Sequence, residues 1–231
     1  MRASRLRSTD EAATCASLSA RFADIQLNTA TRLYFVTLPE STLDDARGES
    51  KLLLAALKAD WGLADLTIET SELIRLQTAL ASGDRGVTVA VFESRRIIGI
   101  WSGLFESPRG VAVDVGSTTV AAHLCDLTTG DVLSSASVMN PQIPFGEDLM
   151  SRVSYIMMHP EGADAMSSAI RSALSKLFVE LTDQLGETTD NILEISLVAN
   201  PIMHHLVLGI NPINLGGAPF ALTVDEAVTL R

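Results

Sequence analysis

Between Val111 and Val138 the chain places three β-like runs so close together that only hairpins can join them. Val111–Val115 is apolar apart from Asp114, Thr119–Asp126 follows after a short turn, and Val132–Val138 follows Thr128-Thr129-Gly130-Asp131. Connections this short make neighbouring strands antiparallel. A long helix comes next. From Gly162 to Leu185, Met166, Ala169, Ile170, Ala173, Leu174, Leu177, Phe178 and Leu181 recur at steps of three and four, as one buried helical face requires. Ile192–Val198 then reads as a buried strand reached by a crossover, and Ile202–Leu208 opens another helical segment. Hairpin, hairpin, crossover implies a mixed sheet with helices on its faces, an α/β architecture.

The preceding part has a different rhythm. Residues 31–38 (TRLYFVTL) form a β-rich run that Pro39 stops. In SKLLLAALKADWG, Leu52, Leu53, Ala56 and Leu57 share one helical face that Gly62 terminates. A second helix opens at Thr70 or Ser71 and runs towards Gly83, and Val87–Phe92 with Arg96–Trp101 form two strands around Glu93-Ser94-Arg95. Residues 30–108 thus make a small α+β module, and residues 109–231 a second unit.

Charge marks the same division. Residues 1–109 hold 13 basic and 14 acidic side chains, whereas residues 110–231 hold 4 and 14, nearly the whole net charge of −11. The break falls at Ser107-Pro108-Arg109-Gly110, with Pro and Gly as linker punctuation. Residues 1–29, with Arg2, Arg5 and Arg7 but also Asp10, Glu11 and Asp24, read as a poorly ordered or truncated lead-in rather than a targeting peptide. The acidic balance argues against nucleic acid as a partner, and no apolar run is long enough for a membrane span. Two cysteines, Cys15 and Cys125, supply neither a disulfide framework nor four cluster ligands, which suits a reducing cytoplasm.

Asp114 carries the first chemical question. A carboxylate at the end of an apolar strand calls for a hydrogen-bonding or cationic partner. Gly116, Ser117, Thr118 and Thr119 follow it as a tight turn of small residues whose amides and hydroxyls suit phosphate oxygens, while Asp114 suits Mg²⁺ directly or through water. No lysine and no helix follow, so the turn is not a Walker loop. The competing reading is an ordinary hairpin in which Asp114 caps its own turn. Gln142, Glu147 and Asp148 point into a cleft in one reading, Asp148 helping to hold metal-bound water; in the other, Glu147 and Asp148 simply favour the positive end of the next helix. That helix carries Met150, Val153 and Ile156. His204 and His205 are adjacent, about 100° apart on a helix, and cannot share one metal as an i, i+4 pair does. Asn200 is placed to cap that helix. Cys125 reads as a small apolar residue, and Trp61 and Trp101 pack in the first module.

Three strings, VAVDVGSTTVAAHLCDLTTGDVL, MNPQIPFGEDLMSRV and VANPIMHHLVLGINPINLGGAPF, resemble successive signatures of the ATP-dependent reductive activators of corrinoid proteins. The first also resembles the phosphate hairpin of the superfamily of actin, sugar kinases and heat-shock ATPases. TRLYFVTLPE, WGL and VTVAVFES resemble the middle domain of the same activators, so the likeness spans roughly residues 31–231. It implies an α+β middle domain at 30–108 and, at 109–231, the first lobe of an actin-like, ribonuclease H-like ATPase fold. It also implies ATP and Mg²⁺ as cofactors and a corrinoid protein of a methyltransferase system as partner, with cobalt returned from Co(II) to Co(I). Asp114 and Asp148 take the catalytic roles in this picture. Asp114 holds Mg²⁺, and Gly116, Ser117, Thr118, Thr119, Gln142, Glu147 and Asn200 line the nucleotide. Full-length relatives are expected to carry a [2Fe–2S] cluster for which this chain has no ligands. With that domain and the second lobe missing, the chain alone is expected to be inactive. The alternatives are a docking or self-association module, a homodimer among them, and a sugar-kinase-like phosphotransferase fragment. The NPQ, GED and MHHLxLG strings disfavour the last.

Overall fold

The computed structural model describes residues 27–40, 47–81, 83 and 85–229. Cys15 and most of the lead-in lie outside the described residues. Two four-stranded sheets follow one another along the chain. The first has the order β1 (Thr31–Thr37), β3 (Gly86–Phe92), β4 (Arg96–Ser102), β2 (Thr67–Ile68). Both central pairings are antiparallel, and β2 joins β4 in parallel. Helices α1 (Glu49–Trp61) and α2 (Thr70–Leu80) cover it. Leu52, Leu53 and Leu57 from α1 and Leu76 and Leu80 from α2 meet Val36, Val87, Val89, Val91, Ile97 and Ile100 in one core. Gly62 ends α1 as expected, in the left-handed region at φ 70°, its amide closing on Lys58 O. Trp101 stacks on Phe105 at 4.1 Å, while Trp61 lies half exposed with its indole N–H on Phe35 O.

The second sheet has the order β7 (Val132–Met139), β6 (Thr119–Asp126), β5 (Arg109–Val115), β8 (Ile192–Ala199). β5–β6 and β6–β7 are antiparallel and β5–β8 is parallel, so the crossover expected from the sequence is present. Among the described residues β8 pairs only with β5 and forms one edge. Alternation along β5 buries Val111, Val113 and Val115 and exposes Ala112 and Asp114. The buried set packs with Val120, Ala122 and Leu124 of β6 against three helices. These are α3 (Leu149–Met158), α4 (Gly162–Asp183) and α5 (Pro201–Leu208). The fold is mixed α/β, with two mixed sheets flanked by helices.

The sheets change over at residues 103–108, next to a buried ion cluster. Arg109, 8% exposed, donates to Asp126 Oδ2 at 2.6 Å and to both oxygens of Glu187 at 2.6–3.2 Å. It ties the start of β5 to the end of β6 and to the segment before β8. A second tie joins the sheets, where the Thr31 amide donates to Glu194 Oε1 at 2.6 Å.

Candidate functional site

The turn between β5 and β6 closes tightly. Gly116 N donates to Thr119 O at 3.0 Å, and a Cβ on Gly116 would meet that same oxygen at 2.8 Å, so only glycine fits. The Gly116 amide is therefore committed inside the turn. The carbonyls of the turn are all held from behind. Asn140 Nδ2 donates to Gly116 O at 2.7 Å, Asn140 N to Thr118 O at 2.8 Å, and Arg152 Nη2 to Ser117 O. A trans peptide points its N–H opposite to its C=O. Gripping the carbonyls of Gly116 and Ser117 therefore turns the amides of Ser117 and Thr118 away from Asn140 and Arg152. Among the described residues no protein acceptor meets either amide. Asp114 stands exposed on the strand leading into this turn. Consecutive outward amides beside a hard carboxylate fit a Mg²⁺-bound polyphosphate.

Behind the turn lies a buried polar cluster. Asn140, Gln142 and Arg152 are each at most 1% exposed, beside fully buried Met203 of α5. Arg152 donates through Nε to Gly146 O at 2.9 Å and through Nη1 to Gln142 Oε1 at 3.4 Å and Met203 Sδ at 3.1 Å. Gln142 passes the network on, its Nε2 donating to Met166 O of α4 at 3.1 Å. Burial pushes the Arg152 guanidinium below the usual arginine range, opposed only by the charge of Asp148. Among the described residues no carboxylate lies within ion-pair distance of Arg152.

The other sequence candidates fall in different places. Gln142 faces the core and braces Arg152, with its amide occupied on both sides. Asp148 caps α3 in a capping box with Ser151, its Oδ1 accepting from Ser151 N at 2.8 Å. That amide hydrogen bond holds its carboxyl below the ordinary range. Glu147 is exposed beside it. Asn200 caps α5, its Oδ1 accepting from Met203 N at 3.0 Å. His205 is buried, its Nδ1 against Pro201 O at 2.7 Å and its Nε2 accepting from Thr223 N at 3.2 Å, so both ring nitrogens are engaged in packing. Burial raises the half-buried Cys125 thiol, which does not favour a reactive thiolate. Among the described residues no group of three or more His, Cys, Asp or Glu is placed to hold a metal, and no helix is long and apolar enough to cross a membrane. A hollow lined by Leu27, Arg32, Phe105, Pro108 and Leu127 lies at the opposite end of β5 from the turn.

Sequence reasoning singled out neither Arg152 nor Asn140 as a site residue. Arg152 had a signal. It sits among Val153 and Ile156 on the apolar side of α3, where a cation needs a reason.

Comparison with known proteins places these features in a family. The model of the RACo middle region matches residues 109–231, and that of the RACo linker region matches residues 20–107. The chain belongs to the RACo family. The two matches meet where the sheets change over. Residues 109–231, which hold the hairpin and the Arg152 cluster, are what the family terms its middle region. The chain is 34% identical over 122 residues to the corrinoid activation enzyme RamQ of Eubacterium limosum, covering 53% of this chain and 21% of that protein. It is also similar to the solved structure of a reductive activator for corrinoid, iron-sulfur protein, at 29% identity and a TM-score of 0.74. That alignment covers 87% of this chain and 32% of the other. The chain thus spans about a fifth to a third of the length of these relatives.

Proposed function

We propose that this RACo-family chain takes part in ATP-dependent reductive activation of a corrinoid protein, residues 109–231 supplying one jaw of an actin-like nucleotide cleft. The observation that carries the reading is the hairpin turn, with the Ser117 and Thr118 amides facing out beside the exposed Asp114. Asp114 would hold Mg²⁺ directly or through water. The amides of Ser117 and Thr118 and the hydroxyls of Ser117, Thr118 and Thr119 would receive phosphate oxygens. Glu147 offers a further acid near the site. Gln142, Asp148 and Asn200 support it through the core and the two helix caps, and Gly116 by closing the turn. Bound Mg-ATP supplies a ligand whose preference for one conformation shifts the complex towards it. The electron that takes cobalt from Co(II) to Co(I) needs a separate redox centre, since a chain with two cysteines does not fit the four ligands of a [2Fe–2S] cluster.

The test is an NMR titration of the ¹⁵N-labelled chain with Mg-ATP, which reads binding even at millimolar dissociation constants. The Ser117 and Thr118 amide signals are expected to move in the wild type. Asp114→Ala is expected to weaken the response about tenfold, roughly 1.4 kcal/mol, with the fold retained because the side chain is exposed. Signals that stay still in the wild type would end the nucleotide reading, and an unchanged response in the variant would remove Asp114 from it. A second reading, self-association as a docking module, draws on exposed Met157, Met158 and Phe220. Sedimentation of the chain as a monomer at all concentrations would remove it.

A further inference from the structure

We propose that Arg152 is the positioning residue of the hairpin turn and the buried counter-charge of its anion site. The inference rests on the phosphate reading above and deepens it. Three observations carry it. The first is the peptide geometry, in which the Arg152 guanidinium holds Ser117 O inward and so fixes the Thr118 amide outward. Without that grip the 117–118 peptide is free to rotate, and an amide pair becomes an amide beside a carbonyl, which repels an anion. The second is charge. A fully buried cation normally has a carboxylate partner, because an uncompensated one is expensive to desolvate. Arg152 is instead surrounded by neutral acceptors, Gly146 O, Ser117 O, Gln142 Oε1 and Met203 Sδ. The acid acting on it most directly, Asp148, has its carboxylate committed to the α3 cap. The positive charge is thus left unneutralised directly behind the turn, where an anion on the far side completes the pair.

The third is that the support is built from every layer of the second unit. Gln142 braces the guanidinium from the segment after β7 and anchors it to α4 through Met166 O. Met203 receives both Arg152 and Asn140 from α5. Such a fully connected network fixes orientation rather than merely filling space. Arg152 touches no ligand in this arrangement. Its action on an anion passes through the Ser117–Thr118 peptide and through its field.

The experiment uses inorganic tripolyphosphate with Mg²⁺ as the probe, titrated into the ¹⁵N-labelled chain and read at the Ser117 and Thr118 amides. Arg152→Met, which keeps an apolar stem and can still pack, is compared with Arg152→Lys, which keeps the charge but not the planar fork that reaches its acceptors from three separate nitrogens. The expected order of affinity is wild type, then Lys, then Met, with at least about a tenfold loss for Met. The Thr118 amide is also expected to shift in Arg152→Met before any ligand is added, while signals from the first sheet stay in place. A folded Arg152→Met chain that binds like the wild type would overturn the inference and leave the hairpin reading standing. A wild type without any response would remove both. Should Arg152→Met fail to fold, Arg152→Lys decides, and wild-type affinity in that variant would defeat the positioning claim.

Discussion

Replacing Arg109 with methionine is expected to destabilise the second unit by about 3 kcal/mol and to lower its melting temperature by on the order of 10 °C. The change leaves Asp126 and Glu187 facing a common space without their cation, and removing one member of a buried ion group costs about 3–5 kcal/mol. The lower end applies because the two carboxylates keep 19% and 20% of their side-chain surface in water. The pH dependence separates this cause from lost packing. The hydrogen bond from Arg109 leads in holding Glu187 below its ordinary range. Burial alone would raise Asp126, but amide hydrogen bonds from Thr128 and Thr129, with the Arg109 charge, leave it lowered as well. Groups with depressed folded values stabilise the native state above their unfolded pKa, about 4 for carboxylates, and that contribution disappears as pH falls through the folded values. The gap between wild type and variant should therefore be full at pH 7 and narrow towards pH 3. Urea unfolding at both pH values measures it, and a gap of constant size would assign the loss to packing.

Leu53→Ala and Leu124→Ala are expected to destabilise different parts of the chain, each by about 2–5 kcal/mol. Both side chains are fully buried, but Leu53 belongs to the core under the first sheet and Leu124 to the core under the second, and the two cores have no residue in common. The intrinsic probes report them separately, because Trp61 and Trp101 both lie in the first unit. Tryptophan fluorescence should follow Leu53→Ala to a lower midpoint and stay near the wild-type value in Leu124→Ala. Helical circular dichroism, dominated by the long α4, should show the reverse weighting. A fluorescence midpoint displaced equally by both variants would mean that the chain unfolds as one cooperative body.

The elements legible in the sequence are those whose causes are local. α1 has its leucine face and its left-handed glycine stop within a single stretch, and the hairpins of the second sheet follow from loop length. β2 was not anticipated, since Thr67–Ile68 is too short to carry a period and exists only through its pairing with β4. Asp148 and Asn200 read ambiguously because the residue types that cap helices are also those that hold metals and nucleotides. Arg109 with Glu187 was out of reach for another reason, as the partners lie 78 residues apart and meet only when β5 is laid beside β8. The hairpin as a candidate anion site could be read from its small residues. What orients it could not, because the grip comes from Asn140 and Arg152 on later elements.

Among the described residues the second sheet ends at β8, whose outer row of peptide groups faces away from β5, with Ile195 and Val198 53% and 62% exposed on the strand. A bare rim of that kind invites any extended polypeptide to button on as a fifth ribbon, including a stray copy of itself. Concentrated stocks of this chain should thus be handled as prone to fibrillar stacking, and a lysine in place of Ser196 is the simplest way to blunt the rim.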